Sequence, residues 1–135
     1  MSGGLSRLSR ATADAVRELT RVTARGDGYR TPADTDALIG DLTAMVYDLP
    51  QLLDQTARWL DAQHRAGRIG HDTHPHPHHA VHEAVGEAVG DLERAGREAL
   101  ELARTLDAVR ENTSHLTAVT STTSSATGRS GGGGR

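Results

Sequence analysis

Six histidines fall within twelve residues of this chain: His71, His74, His76, His78, His79 and His82. Imidazole is a common metal ligand, and this cluster is the only candidate site for chemistry in the sequence. If a helix begins near His78, then His78 and His82 lie four apart and His79 and His82 three apart, so either pair shares a helix face. Two such nitrogens can meet one zinc or nickel ion, and connector histidines can complete a tetrahedral shell. The candidate metal ligands are therefore His74, His76, His78, His79 and His82, with Asp72 and Glu83 as nearby carboxylates. The same residues also read as a solvated histidine-rich connector with no cofactor, or as a pH-responsive one. The spacing is not that of a zinc protease, because His82-Glu83 is followed by Ala84-Val85-Gly86 with no second histidine four residues on.

Little else points to catalysis. No Gly-x-Ser-x-Gly elbow, phosphate loop or dinucleotide fingerprint is present. Glu83, Glu87, Asp91 and Glu98 read as the solvated face of a helix, and no Glu-x-x-His pair of the di-metal bundle type occurs. The expectation is a protein that is not an enzyme. The absence of cysteine excludes disulfides and thiolate chemistry. All 15 basic residues are Arg, but the formal net charge is −3 and aromatic residues make up 2%. Without a basic tail or stacking residues, that balance argues against nucleic-acid binding.

The histidines need elements to position them, and hydrophobic spacing supplies three helices. Leu5, Leu8, Thr12, Ala15, Leu19 and Val22 mark a first helix over about Leu5 to Ala24, ended by Gly26-Asp27-Gly28. A second begins at Thr31-Pro32-Ala33-Asp34, with a hydroxyl at the N-cap, proline at the first position and a carboxylate placed to reach back. It continues to Arg65-Ala66-Gly67, and Pro50 inside it predicts a kink rather than a break, since the apolar register survives the proline. The third is expected from about His78 to Leu116, carried by Leu92, Ala95, Ala99, Leu102, Leu106, Val109 and Thr113. Gly86 and Gly90 within it either permit close helix approach or simply weaken that segment.

The strongest pattern is the heptad stripe of the second helix. Leu38, Leu42, Met45, Leu49, Leu52, Thr56 and Trp59 alternate spacings of four and three, widened by Ile39, Val46, Leu53 and Leu60. Leu, Ile, Val and Phe number only 24 of 135 residues, so the core is expected to be light but ordered. The fold class read from this is all-α: an elongated three-helix bundle over residues 1–119 built on a long antiparallel helical hairpin with coiled-coil-like heptads. A Ser/Thr/Gly-rich disordered tail should follow over 120–135. The first helix carries Arg7, Arg10, Arg17 and Arg21, complementing six aspartates on the second. At 1.5 Å per residue it is about 30 Å long against roughly 50 Å for the second, so it can cover only part of the hairpin and apolar stripe is expected to stay uncovered.

The stretch from Ala15 to Leu60 contains Arg17-Glu-Leu-Thr-Arg21, Gly28-Tyr-Arg-Thr-Pro-Ala-Asp34, Leu49-Pro-Gln-Leu-Leu53 and Ala57-Arg-Trp-Leu60. It resembles small uncharacterised helical proteins of actinobacteria, a similarity that covers about a third of the chain and implies no particular activity. The all-Arg usage fits a high-GC genome of that kind. The architecture is also similar to the helical hairpins secreted by type VII systems, from which it departs because Trp59 lies within a helix and no Trp-x-Gly turn joins the helices. No functional residue is carried over from either.

These readings lead to a non-enzymatic helical interaction or scaffold module that self-associates or docks a partner helix. Its expected interface is Leu42, Met45, Leu49, Leu52, Leu53 and Trp59. A metal-binding or metal-responsive bundle is the alternative. No apolar run approaches the roughly 20 residues of a membrane span, and Met1 to Arg7 lacks the apolar core of a secretory signal, so the expected setting is cytoplasmic.

Overall fold

The computed structural model describes residues 3–71 and 77–119, the side chains of residues 77 and 78 excepted. The tail expected over 120–135 lies outside the described residues, as do Asp72, His74 and His76. Three helices follow one another: α1 (Gly3–Thr23), α2 (Pro32–Arg65) and α3 (Pro77–Thr113), with no strand among the described residues. The all-α architecture is the one the spacing predicts.

Local chemistry sets the ends of α2. Thr31 is extended at the N-cap, Pro32 occupies the first turn, and the Asp34 carboxylate accepts the backbone N–H groups of Arg30 at 2.7 Å and Thr31 at 2.9 Å. Those two donors hold the Asp34 carboxyl below its usual range. At the other end Gly67 takes a positive φ of 67°. Its N–H reaches the His64 carbonyl at 3.0 Å, while the Arg68 N–H reaches Gln63 at 3.0 Å, the paired bonds of a Schellman motif. The helix passes through Pro50 without interruption, as the continuous register implies. α3 stops at Thr113, three residues before the expected Leu116. Asn112 and Ser114 bond back to the carbonyls of Ala108 and Glu111, and such side-chain competition with the backbone favours helix ends.

α2 and α3 pack along their length as an antiparallel hairpin. Thr113 meets Asp36 at 2.8 Å at one end, and His64 meets His82 at the other. The buried seam is made of small side chains: Thr43, Val46 and Ala57 from α2, and Val81, Val85, Ala99 and Ala103 from α3. Among the described residues no large side chain is completely buried. Gly96 is buried against Pro50, where a Cβ would lie 3.7 Å from the proline Cα. Only one ion pair spans the two helices among the described residues, Arg110 to Asp36 at 3.6 Å, with the Arg110 guanidinium lying over Gly40.

The first helix behaves differently from its expected role. α1 makes no contact with α2 or α3, and its described residues are exposed apart from the half-buried Thr23. The expected partial cover of the stripe is therefore not formed. Its Arg residues are not paired with the aspartates of α2 either. Arg17 pairs with Asp14 at 2.8 Å and Arg21 with Glu18, both inside α1. Exposed pairs of this i,i+3 kind add only a few tenths of a kcal/mol.

Two glycine readings left open by the sequence are now separated. A Cβ added at Gly86 or Gly90 would meet nothing within 4 Å, so neither glycine serves close helix approach. Close approach occurs at Gly96 instead. Replacing Gly86 or Gly90 by Ala should therefore stabilise the hairpin by about 0.5–1 kcal/mol each, read as a raised urea midpoint at constant slope. A lowered midpoint at either site would mean that a partner surface approaches there.

Tyr47 gives a second test of the hairpin geometry. Its hydroxyl donates to the Asp107 carboxylate, and that bond, with some desolvation, raises the phenol above its ordinary value. The bond is intact below the ordinary tyrosine pKa of about 10 and is lost as pH rises through the raised one. In a Tyr29→Phe background, Asp107→Ala should move the phenolate absorbance transition of Tyr47 downward. An unmoved transition would break the assigned contact.

Candidate functional site

The seam between α2 and α3 does not run along the leucine stripe. On α2 the buried residues Thr43, Val46 and Ala57 set its register, and the half-buried Ile39, Pro50, Leu53, Leu60 and His64 continue it at alternate spacings of four and three. This set lies one residue after the stripe Leu38, Leu42, Met45, Leu49, Leu52, Thr56 and Trp59. On α3 the same offset separates buried Gly96 and Ala103 from Ala95 and Leu102. In an antiparallel pair, one step back from the seam turns both helices toward the same side. The leucine stripe of α2 therefore forms an apolar face beside the seam, bordered on α3 by Ala95, Leu102 and Val109 in alternation with Asp91, Glu98 and Thr105.

That face is open. Met45, Leu49 and Leu106 pack partly against the Val46–Ala99–Ala103 cluster. Leu52 is 52% exposed, Trp59 60% and Leu102 50%. The expected interface residues thus divide. Leu42, Met45 and Leu49 are half-buried on the face, Leu52 and Trp59 are exposed on it, and Leu53 belongs to the seam against α3. Asp41 and Asp48, four residues before Met45 and Leu52, give the face an acidic edge. The opposite side of the hairpin is polar, with Tyr47 bonded to Asp107 and no comparable row of leucines.

The histidines occupy the connector end of the hairpin. His82 follows buried Val81, and its Nδ1 lies 3.2 Å from Nε2 of His64 on α2. The ring centroids are 5.4 Å apart with planes tilted by 41°. Which ring donates in this contact depends on the tautomers of the two imidazoles. The 3.2 Å separation is close to the roughly 3.3 Å between two nitrogens each about 2.0–2.1 Å from one tetrahedral zinc. The Schellman motif that uses the His64 carbonyl also fixes where this side chain leaves α2.

Of the sequence-derived ligands, His82 is thus brought to a second histidine and His79 is exposed on α3. The side chain of His78 lies outside the described residues, together with the whole of His74 and His76. Among the described residues no group of three or more His, Asp or Glu is placed to hold a metal. His64 was not among the expected ligands, although extending the seam register from Leu53 through Ala57 and Leu60 reaches it directly. No helix among the described residues is long and apolar enough to cross a membrane. Comparisons with protein-family models, curated proteins and solved structures find no match to this chain.

Proposed function

We propose that this chain is a non-enzymatic helical interaction module that uses the open apolar face of its α2–α3 hairpin to self-associate or to bind a partner helix. One observation carries the reading: a row of apolar side chains from Leu42 to Trp59 lies beside a closed seam and has no helix over it among the described residues. Covering one Leu side chain fully is worth about 1.5–3 kcal/mol, so a few such positions suffice to drive association. A cytoplasmic setting goes with this reading as an expectation from the sequence.

A second reading, metal binding, is favoured by the His64–His82 contact. Two imidazole nitrogens from two helices already stand at ligand separation, so an added zinc or nickel ion would need little rearrangement there. Such an ion would clamp the C-terminal end of α2 to the N-terminal end of α3. It would supply no chemistry beyond that clamp unless further ligands came from the connector.

Each reading has its own test. Leu52→Asp with Trp59→Asp leaves the seam untouched, because both side chains are exposed. This double variant should keep its helicity and lose at least tenfold in association, measured by light scattering across a dilution series with chelator present. Unchanged mass at every concentration would remove self-association from the interaction reading. For the metal reading, calorimetric zinc titration should show a one-to-one event that His64→Ala and His82→Ala each weaken at least tenfold. Equal binding by His64→Ala would leave only the connector histidines and remove the clamp.

A further inference from the structure

α1 has an unpartnered apolar face of its own. Leu5, Leu8, Val16, Leu19 and Val22 are between 40% and 76% exposed, and they share one side of the helix. Most helical stability in proteins comes from packing such a face rather than from propensity, so α1 calls for a surface. A matching surface exists in the same chain. The face from Leu38 to Trp59 is about 32 Å long at 1.5 Å per residue, and the 21 residues of α1 span about the same. Arg7, Arg10, Arg17 and Arg21 lie on the opposite side of α1 from this row, so they stay in solvent when the row is covered.

The turn between α1 and α2 decides which copy supplies that surface. Gly26 is in the left-handed region at φ 74°, its N–H bonded to the Thr23 carbonyl at 3.2 Å, and the Tyr29 N–H returns to the Gly26 carbonyl at 3.3 Å. Gly28 is pressed on the end of α1, where an added Cβ would come within 2.7 Å of the Val22 side chain and 2.9 Å of its carbonyl oxygen. Asp34 then holds Arg30 and Thr31 through their N–H groups. This hydrogen-bonded turn leaves α1 clear of its own hairpin. Laying α1 onto that hairpin would require the turn to be remade, whereas a second molecule meets no such obstacle.

We propose that the occupant of the hairpin face is α1 of a second copy of this chain, exchanged reciprocally to give a closed two-fold dimer. The proposal rests on the interaction reading above and names its partner. In a two-fold pair each hairpin receives one α1 and each α1 is covered, so both open faces close at once and no further copy can add. Gly28 has a defined part in it: a side chain there cannot be accommodated without shifting the end of α1.

The test compares three full-length chains by light scattering and urea unfolding: the unsubstituted chain, Leu8→Asp with Leu19→Asp, and Leu52→Asp with Trp59→Asp. Reciprocal exchange predicts a dimer that either double variant converts to monomer. An equimolar mixture of the two variants should recover a weaker heterodimer through its one intact α1–face contact. If the α1 variant stays dimeric while the hairpin variant does not, α1 is not the occupant and the exchange is wrong, although the interaction reading stands. If the unsubstituted chain is a monomer that the α1 variant destabilises, α1 covers its own hairpin, and both the exchange and the interaction reading fail. If that monomer is unaffected and only the α1 variant stops sedimenting with anionic phospholipid vesicles, α1 is a lipid-surface helix and the exchange is again overturned.

Discussion

The packing of α2 against α3 through small residues is the contact on which the rest of the molecule depends. Ala99 and Ala103 present little more than a methyl group to Val46, and Gly96 presents only backbone to Pro50. A seam of this kind brings two long helices close together but buries little apolar area per residue. Its buried positions are taken by small side chains. Leu42, Met45, Leu49, Leu52 and Trp59 are displaced to one side of it, and that displacement produces the open face.

Proline and glycine opposite one another show how the seam tolerates a local fault. Pro50 removes a donor from the helix interior, and its ring crowds the preceding turn. The facing position is Gly96, where an added Cβ would lie in ordinary contact with the proline at 3.7 Å from its Cα. Polar ties then limit sliding along so smooth a seam. Asp36 holds Thr113 and Arg110 at one end, Tyr47 holds Asp107 in the middle, and His64 meets His82 at the other. Each is specific in register, so together they select one alignment of the hairpin more than they add to its stability.

The interaction reading and the metal reading act at different places on this scaffold and by different physics. The apolar face extends along the hairpin and gains from area removed from water. The histidine contact is a point closure at the connector end, and gains from coordination. The proposed exchange places α1 with the first of these, since its apolar side matches the face in length.

Much of this was legible in the residues themselves. Thr31-Pro32-Ala33-Asp34 marks the start of α2, and Gly67 marks its end, because capping and left-handed turns depend on a few adjacent atoms. Heptad spacing likewise identified the apolar sector of α2 and the pairing of two long helices. What spacing could not decide was which edge of that sector forms the seam. Leu42 and Thr43 lie 100° apart on a helix, and the stripe read on hydrophobicity favours the leucine. Only the partner's shape decides, and a partner of Ala99 and Ala103 brings Thr43, Val46 and Ala57 inward. The same reason hid His64, which enters the site through seam register and not through proximity to the other histidines. It also hid the placement of α1, whose amphipathic pattern states that a surface is needed but not where it lies. Local chemistry thus determined the helices and their ends, whereas the faces they bury or leave open followed from side chains of two different helices meeting in space.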